Sequence, residues 1–185
     1  MDFTATLYKD YSLIEDKKAN DLYSQGWYGK LTKKGYLKLD PYETILLMER
    51  KRIQVIDKSN KTFELSELVA YFAEIIPNFL VNYVLFKDLR SRGYVVKQHS
   101  SKENYFELYK RGSKPKKAEQ LALVVPMIEG IQFDINELDQ IVTKAKKIAK
   151  QLLFAVIDSL GDVSYYSVNE LEFPAVCPTS MEELS

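Results

Sequence analysis

Hydrophobic and polar positions in the first third of the chain follow strand spacing in some segments and helix spacing in others. Residues 3–8 alternate as a strand does, and residues 16–26 show the pattern of a short helix that an aspartate begins and a glycine ends. The segment DPYE at residues 40–43 is a strong helix start, because its aspartate, proline and glutamate fit a capping box. Further strands are predicted at residues 36–39 and 50–57. Together these elements predict a small mixed N-terminal domain over residues 1–64.

Residues 65–93 have apolar side chains at helical spacing, interrupted once. Leu65, Leu68 and Phe72 lie on one helical face, and Pro77 breaks or kinks the run. A second helix then continues to Gly93. We therefore predict two connecting helices between the N-terminal domain and the rest of the chain.

The second half of the chain alternates strand and helix patterns. A helix is predicted from Asp134, and the predicted strands are residues 94–97, 105–109, 121–125, 152–157 and 163–168. The run 121–125 is apolar throughout, as in a buried central strand. This alternation predicts an α/β domain with a mixed sheet over residues 94–171, followed by a tail at 172–185. The fold class of the whole chain is thus α/β (α+β).

Composition narrows the class of protein. Hydrophobic residues make up 46% of the chain and no apolar run is long enough to span a membrane, so we expect a globular core and a cytoplasmic protein. The single Cys177 excludes an internal disulfide. Basic and acidic residues number 26 each, so no net field attracts a polyanion. This balance argues against a stand-alone nucleic-acid binder but not against one subunit of an assembly.

Three stretches of the chain carry a shared pattern. They are KANDLYSQGWYGK followed by LKLDPYETILLMER, then VLFKDLRSRGYVVK, and finally KQLLFAVIDSLGDVSYYSV. Together they resemble the archaeal tRNA-intron endonuclease family. The resemblance implies a small N-terminal domain followed by a nuclease domain distantly like that of restriction enzymes. It also implies assembly of two or four units, and cleavage of precursor tRNA at bulge–helix–bulge introns without metal or cofactor. In that chemistry a tyrosine removes the proton of the 2′-hydroxyl, a histidine protonates the leaving 5′-oxygen, and a lysine stabilises the charged phosphorane.

Two of these three catalytic positions have a matching residue here. Tyr109 matches the tyrosine and Lys150 matches the lysine, although neighbouring lysines also fit an ordinary solvated helix face. On a strand, Tyr109 shares a face with Tyr105 and Glu107, and we expect this face to be at the surface. An ordinary half-buried strand tyrosine is an equally good interpretation of Tyr109. The histidine position, about ten residues after the tyrosine, is occupied by Glu119 or its neighbour Ala118. An ordinary glutamate is ionised at neutral pH and cannot donate a proton without a large rise in its pKa.

The only histidine of the chain, His99, lies before Tyr105, and we expect it in a loop. A replacement of the missing acid by His99 is disfavoured because it precedes the tyrosine in sequence. We therefore predict a structural subunit that assembles two plus two with a histidine-bearing catalytic paralogue on precursor tRNA.

The assembly surface is predicted at the end of the nuclease domain. The last strand, with Val163, Tyr165, Tyr166 and Val168, resembles the edge strand through which the family dimerises. The turn before it carries Asp158 and Asp162, which match a loop that inserts acidic residues into a partner in relatives. A plain hairpin turn is an equally good interpretation of this segment.

Three other functions remain open from the residues. The first is a self-sufficient, metal-independent tRNA-intron endonuclease that leaves 2′,3′-cyclic phosphate and 5′-hydroxyl ends. The second is a magnesium-dependent nuclease, for which Glu107 and Glu119 are available but no acidic pair has the usual spacing. The third is an RNA-binding or scaffold module, which the neutral net charge supports poorly.

Overall fold

The computed structural model describes residues 2–100, 103–115, 118–132, 140–143, 147 and 151–168. Within these residues ten strands form two five-stranded sheets. Each sheet contains one parallel pair of strands among antiparallel ones. The chain is therefore an α+β protein with two mixed sheets, and the predicted fold class is confirmed.

The first sheet and two helices make up the N-terminal part. Its strands are β1 (Phe3–Leu7), β2 (Ser12–Ile14), β3 (Lys30–Leu31), β4 (Leu37–Leu39) and β5 (Ile53–Ile56). They are ordered β3-β4-β2-β1-β5, with β1 and β5 parallel. Strands β2 and β3 were not predicted, because elements of two or three residues are too short to show an alternating pattern.

Two helices of this part begin where the sequence predicts. A short 3₁₀ helix at Lys17–Ala19, capped by the Asp16 side chain, leads into α1 (Asn20–Gly26). Helix α2 (Pro41–Glu49) has both halves of the capping box. Asp40 Oδ1 accepts from the Glu43 N–H at 2.8 Å, and Glu43 Oε2 accepts from the Asp40 N–H at 3.2 Å. All residues of α2 up to Met48 are buried, so this helix fills the centre of the N-terminal part.

The connecting segment consists of α3 (Leu65–Ile75) and α4 (Phe79–Ser91). The break between them contains Pro77, as predicted, and Asn78 adopts the left-handed conformation with φ of 54°. The two helices meet at an angle of 119°. Among the described residues no single helix is long and apolar enough to cross a membrane, and only this bent pair has the length and composition when taken together.

The second sheet forms the C-terminal part. Its strands are β6 (Val95–Ser100), β7 (Glu103–Tyr109), β8 (Gln120–Ile128), β9 (Leu152–Ile157) and β10 (Val163–Val168). The order is β10-β9-β8-β7-β6, with β8 and β9 parallel. Residues 140–143 are helical, and the start predicted at Asp134 lies outside the described residues. The bounds of β9 and β10 are those predicted.

One hydrophobic core joins the two parts. The ring of Tyr42 in α2 lies 5.2 Å from Phe79 and 5.8 Å from Phe86 of α4, and 5.4 Å from Phe106 of β7, measured between ring centroids. A second, smaller cluster covers the other face of the C-terminal sheet. It contains Tyr105, Leu123, Val125 and Leu152, with Ile141 and Val142 packed on it.

Two expectations about the C-terminal sheet are wrong. His99 lies in strand β6 and not in a loop, since β6 extends to Ser100. Tyr105 is only 3% exposed, because the second cluster covers it. The face of β7 that carries Tyr105 and Tyr109 is therefore buried at Tyr105 and becomes accessible to solvent only towards Tyr109.

Candidate functional site around Tyr109

Tyr109 ends strand β7 and is half-buried. The alternation of the strand places Phe106 and Leu108 in the main core, as predicted, and leaves Glu107 and Tyr109 on the opposite face. The pairing of β7 with β8 shifts register between Leu108 and Tyr109. Such an irregularity bends the strand and redirects the side chain beside it.

The phenol of Tyr109 is engaged by two neighbours. Its hydroxyl donates a hydrogen bond to Glu107 Oε2 at 2.7 Å. The Trp27 ring packs against it with 4.8 Å between ring centroids at an angle of 48°. Burial and, secondly, the hydrogen bond to the Glu107 carboxylate raise the pKa of Tyr109 above that of a free tyrosine. This environment favours the protonated form of the Tyr109 phenol.

Trp27 belongs to the N-terminal part and reaches Tyr109 from the loop after α1. It has a left-handed backbone with φ of 47°, and Gly29 follows with φ of 68°. A Cβ at Gly29 would lie 2.6 Å from the carbonyl oxygen of Lys38, so only glycine fits there. Arg90 of α4 holds the same loop, because its guanidinium donates to the Gly26 carbonyl at 3.1 Å.

A buried ion pair anchors this loop to strand β6. Lys97 Nζ lies 2.6 Å from Glu43 Oε1 and donates to the Gly29 carbonyl at 3.2 Å. Burial alone would raise the pKa of Glu43, but the Lys97 ammonium and the N–H of Gly29 lower it below its usual value. The pKa of Asp40 is raised to about 7 by burial and by the negative charge of Glu43. The N-terminal part thus forms one wall of the site.

Sequence reasoning missed this wall. It did place Glu107 on the face of Tyr109, because residues two apart on a strand share a face. No pattern in the sequence links Trp27, Glu43 or Lys97 to Tyr109, since the contacts depend on how the two parts pack.

The other predicted catalytic positions lie on several segments of the C-terminal part. The Glu119 side chain is 55% exposed, with Lys110 Nζ 3.9 Å from its carboxylate. His99 lies four positions beyond Val95, the residue paired with Tyr109, which is about 13 Å along the strand at about 3.3 Å per residue. Lys150 lies outside the described residues. Within the described parts of the chain, no group of three or more His, Cys, Asp or Glu side chains is arranged to hold a metal ion.

The predicted assembly residues lie on and before strand β10. Tyr166 is 58% exposed, whereas the Tyr165 hydroxyl donates to Asp88 of α4 at 2.6 Å. Val163 is half-buried against the core, and Val168 pairs with Leu152 at the end of the strand. Among the described strands β10 pairs only with β9, so no described strand lies along its other side.

The turn before β10 is closed by Asp158. Its Oδ1 accepts from the backbone N–H groups of Leu160 at 2.8 Å and Asp162 at 2.9 Å. Gly161 adopts φ of 86° within it. The Asp158 carboxylate therefore stabilises its own hairpin, as the plain-turn interpretation requires.

Comparison with protein families assigns both parts of the chain. Residues 3–69 match the N-terminal domain of tRNA intron endonucleases, and residues 79–165 match the catalytic C-terminal domain of the same enzymes. The chain belongs to the tRNA intron endonuclease family. The catalytic-domain match includes Tyr109, Glu119 and Lys150, so the candidate site falls within the family's catalytic domain.

Individual relatives from this family differ in length. The tRNA-splicing endonuclease of Thermococcus onnurineus is 33% identical over 89% of this chain and 94% of the relative. That of Thermococcus kodakarensis is 33% identical over 83% of this chain and 89% of the relative. The tRNA-splicing endonuclease of Methanococcoides burtonii is 30% identical over 89% of this chain, but this chain spans only 45% of that protein.

Proposed function

We propose that this chain is a structural subunit of a tRNA-splicing endonuclease that supports removal of introns from precursor tRNA at bulge–helix–bulge motifs. Family membership supports the substrate and the reaction. The structural role rests on the absence of a histidine from residues 110–120, where the resemblance places the catalytic histidine and where Glu119 matches its position. A glutamate of ordinary pKa is ionised at neutral pH and has no proton to donate.

The reaction requires two opposite proton transfers. The 2′-oxygen attacks phosphorus and gives up its proton to a base, while the bond from phosphorus to the 5′-oxygen breaks and an acid protonates that oxygen. Each positioned transfer contributes about 10²–10⁴-fold to the rate. No histidine is present to act as the acid where Glu119 matches its position. This feature supports a subunit that does not cut.

A catalytic paralogue would supply the working site, in a hetero-oligomer of two plus two. The open edge of β10, with Tyr166 exposed on it, is a suitable pairing surface for such a partner. The Methanococcoides burtonii relative is consistent with this arrangement, since this chain spans less than half of it and the remainder has room for a second unit.

A self-sufficient endonuclease is the second candidate, and one contact favours it. The Glu107 carboxylate lies 2.7 Å from the Tyr109 hydroxyl and is placed to accept its proton. Tyr109 could then pass on a proton taken from the 2′-hydroxyl. This candidate still needs an acid from elsewhere in the chain.

The division of the chain remains part of the proposal. We propose an N-terminal domain at residues 1–64, connecting helices at 65–93, a nuclease-like domain at 94–171 and a tail at 172–185, in a protein that acts in the cytoplasm. The shared core around Tyr42 requires the first three segments to fold together.

Cleavage of a precursor tRNA with a bulge–helix–bulge intron tests the function directly. The folded chain is assayed in a chelator, first alone and then with a histidine-bearing paralogue of the same family. Cleavage only in the mixture supports the structural subunit. Clean cutting by this chain alone, leaving 2′,3′-cyclic phosphate ends, would establish the self-sufficient enzyme. Activity that depends on added magnesium would contradict both.

A further inference from the structure

A groove in the N-terminal domain lies outside the Tyr109 site. It is shallow and largely open to solvent, with a volume of about 420 Å³. The end of β1, the turn after β5 and helix α3 form its walls. Its lining residues are Leu7, Tyr8, Lys9, Asp57, Lys58 and Tyr71, together with Ser59.

An aromatic stack with a cation at each end borders this groove. The rings of Tyr8 and Tyr11 are parallel to within 7°, with 4.8 Å between centroids. Lys38 Nζ lies 3.7 Å from the Tyr11 ring, and Lys58 Nζ lies 5.3 Å from the Tyr8 ring. The contact of Lys58 is the looser one, and it is made at the end of the stack that lines the groove.

The walls of the groove are stabilised by hydrogen bonds that do not involve the ammonium groups of its two lysines. The Tyr71 hydroxyl donates to the Lys9 carbonyl at 3.0 Å. Asp57 Oδ1 accepts from the N–H and hydroxyl of Ser59 and from the N–H of Lys61, so this carboxylate stabilises its own turn. Lys9 and Lys58 are exposed, and within the described residues neither has a carboxylate within 4.0 Å.

We propose that this groove binds one nucleotide of an RNA strand, with the base stacked on Tyr8 and the adjoining phosphate held by Lys9 and Lys58. Stacking of a base on an aromatic ring combined with nearby cations is how proteins hold single-stranded nucleic acid. The incoming base replaces Lys58 on the ring, and the ammonium moves to the phosphate. The choice of RNA as the ligand rests on the proposed function, whereas the groove and its charges do not.

An acidic protein segment is the competing occupant, and the groove favours RNA over it. Such a segment would use the two lysines but has no need of the flat Tyr8 ring that lines the groove with them. The groove combines two cations with a ring face of the size of a base, which is the pattern that a nucleotide requires.

Binding of RNA to the full chain tests the proposal without any cleavage. Fluorescence anisotropy measures affinity for a single-stranded oligoribonucleotide and for an intron-containing precursor tRNA. Tyr8→Leu should weaken oligonucleotide binding by about tenfold or more, since stacking is lost, and Tyr8→Phe should retain it. The Lys9→Ala/Lys58→Ala variant should reduce the slope of log affinity against log salt by about 0.7, the value for one lost phosphate contact on a single strand.

The matched control is Lys17→Ala/Lys18→Ala. It removes the same charge from exposed positions in the 3₁₀ helix that follows β2. It should leave the salt slope unchanged. A control that lowers the slope as much as the groove variant would overturn the proposal. So would a folded Tyr8→Leu protein that binds RNA as the unaltered chain does. If the groove variants instead lose association with the catalytic subunit and keep RNA affinity, the groove is a protein-docking site and the assignment of RNA is wrong.

These outcomes are separate from the test of the proposed function. Tyr8-dependent binding together with no cleavage by any mixture would leave the groove proposal standing and refute the endonuclease subunit. If the mixture cleaves the precursor tRNA and RNA binding is unchanged by the Tyr8 and lysine variants, the groove proposal is refuted and the endonuclease subunit stands.

Discussion

Tyr109 is the residue at which the two candidate functions differ most. In a structural subunit its phenol takes no part in proton transfer, so Tyr109→Phe should leave cleavage by the assembled enzyme nearly unchanged. The reason is local: the hydroxyl donates to Glu107, and the pKa of Tyr109 is raised by burial and by that carboxylate. Initial rates on precursor tRNA, with enzyme in excess, measure the effect.

The control for this prediction is the tyrosine at the corresponding position of the catalytic subunit. Its change to phenylalanine should reduce cleavage by about 100-fold or more, the ordinary contribution of a positioned base. A comparable loss on changing Tyr109 would show that this chain contributes an active site, and would favour the relay through Glu107.

The buried pair of Lys97 and Glu43 should be costly to break from one side. The two side chains are 8% and 2% exposed, so Lys97→Met leaves an uncompensated buried carboxylate. We expect the free energy of unfolding to fall by about 3–5 kcal/mol, and the double variant with Glu43→Gln to recover part of that loss. Urea unfolding followed by circular dichroism measures both.

An exposed ion pair of the same protein provides the comparison. Lys87 and Glu49 lie 2.8 Å apart, but the lysine side chain is 51% exposed. Lys87→Met should therefore cost at most about 1 kcal/mol. If the two lysine variants lose equal stability, the burial of Lys97 does not determine the strength of its contact.

At the scale of elements, the cap of helix α2 makes stability depend on pH. The pKa of Asp40 is raised to about 7, so the folded protein keeps a proton that the unfolded chain releases above about pH 3.9. The stability from this proton is complete below that pH and is lost as pH rises through about 7. The pKa of Glu43 is lowered, so the stability that its carboxylate contributes is present at neutral pH and is lost as the pH becomes more acidic.

The variant Asp40→Asn separates the contribution of Asp40 to this pH dependence from that of Glu43. Asparagine caps a helix about as well as aspartate but does not titrate. Between about pH 4.5 and pH 7.5, the unfolding free energy of the unaltered chain should fall relative to that of the variant, by about 1 kcal/mol or more. Urea titrations at a series of pH values measure this difference. Parallel curves would mean that Asp40 has an ordinary pKa in the folded protein.

Strand β10 is the element on which the proposed assembly depends. Tyr166 is 58% exposed on this edge, and a charge there blocks edge-to-edge pairing. Tyr166→Lys should abolish association with the catalytic subunit, as measured by light scattering after size exclusion. The matched control is Leu80→Lys in α4, where the side chain is 53% exposed. Unchanged association of the Tyr166 variant would place the interface elsewhere.

Elements were predictable where their pattern is long and their ends carry specific residues. The capping box at Asp40, the break at Pro77 and the strands β9 and β10 were all correctly predicted from local sequence. Strand β3 has two residues and depends on its partner β4 for its existence, so local pattern could not reveal it. The burial of Tyr105 likewise depends on a covering cluster from distant segments.

For the whole molecule, the shared core implies that the two domains unfold together. The rings of Tyr42, Phe79, Phe86 and Phe106 come from both domains and from the helices between them. Trp27 is the single tryptophan and contacts Tyr109 across the domain boundary, so its fluorescence reports on domain docking. Guanidinium unfolding followed by this fluorescence and by far-ultraviolet circular dichroism should give coincident transitions.

A variant in the shared core tests more stringently whether the two domains unfold together. Phe106→Ala removes a ring that the nuclease-like domain inserts against Tyr42, and should cost about 3–5 kcal/mol. Because the core is common to both domains, both signals should shift to the same lower midpoint. A fluorescence transition that moves while the circular dichroism transition remains would mean that undocking precedes unfolding. The N-terminal domain would then be stable alone, and the wall that it builds around Tyr109 would be separable from the fold.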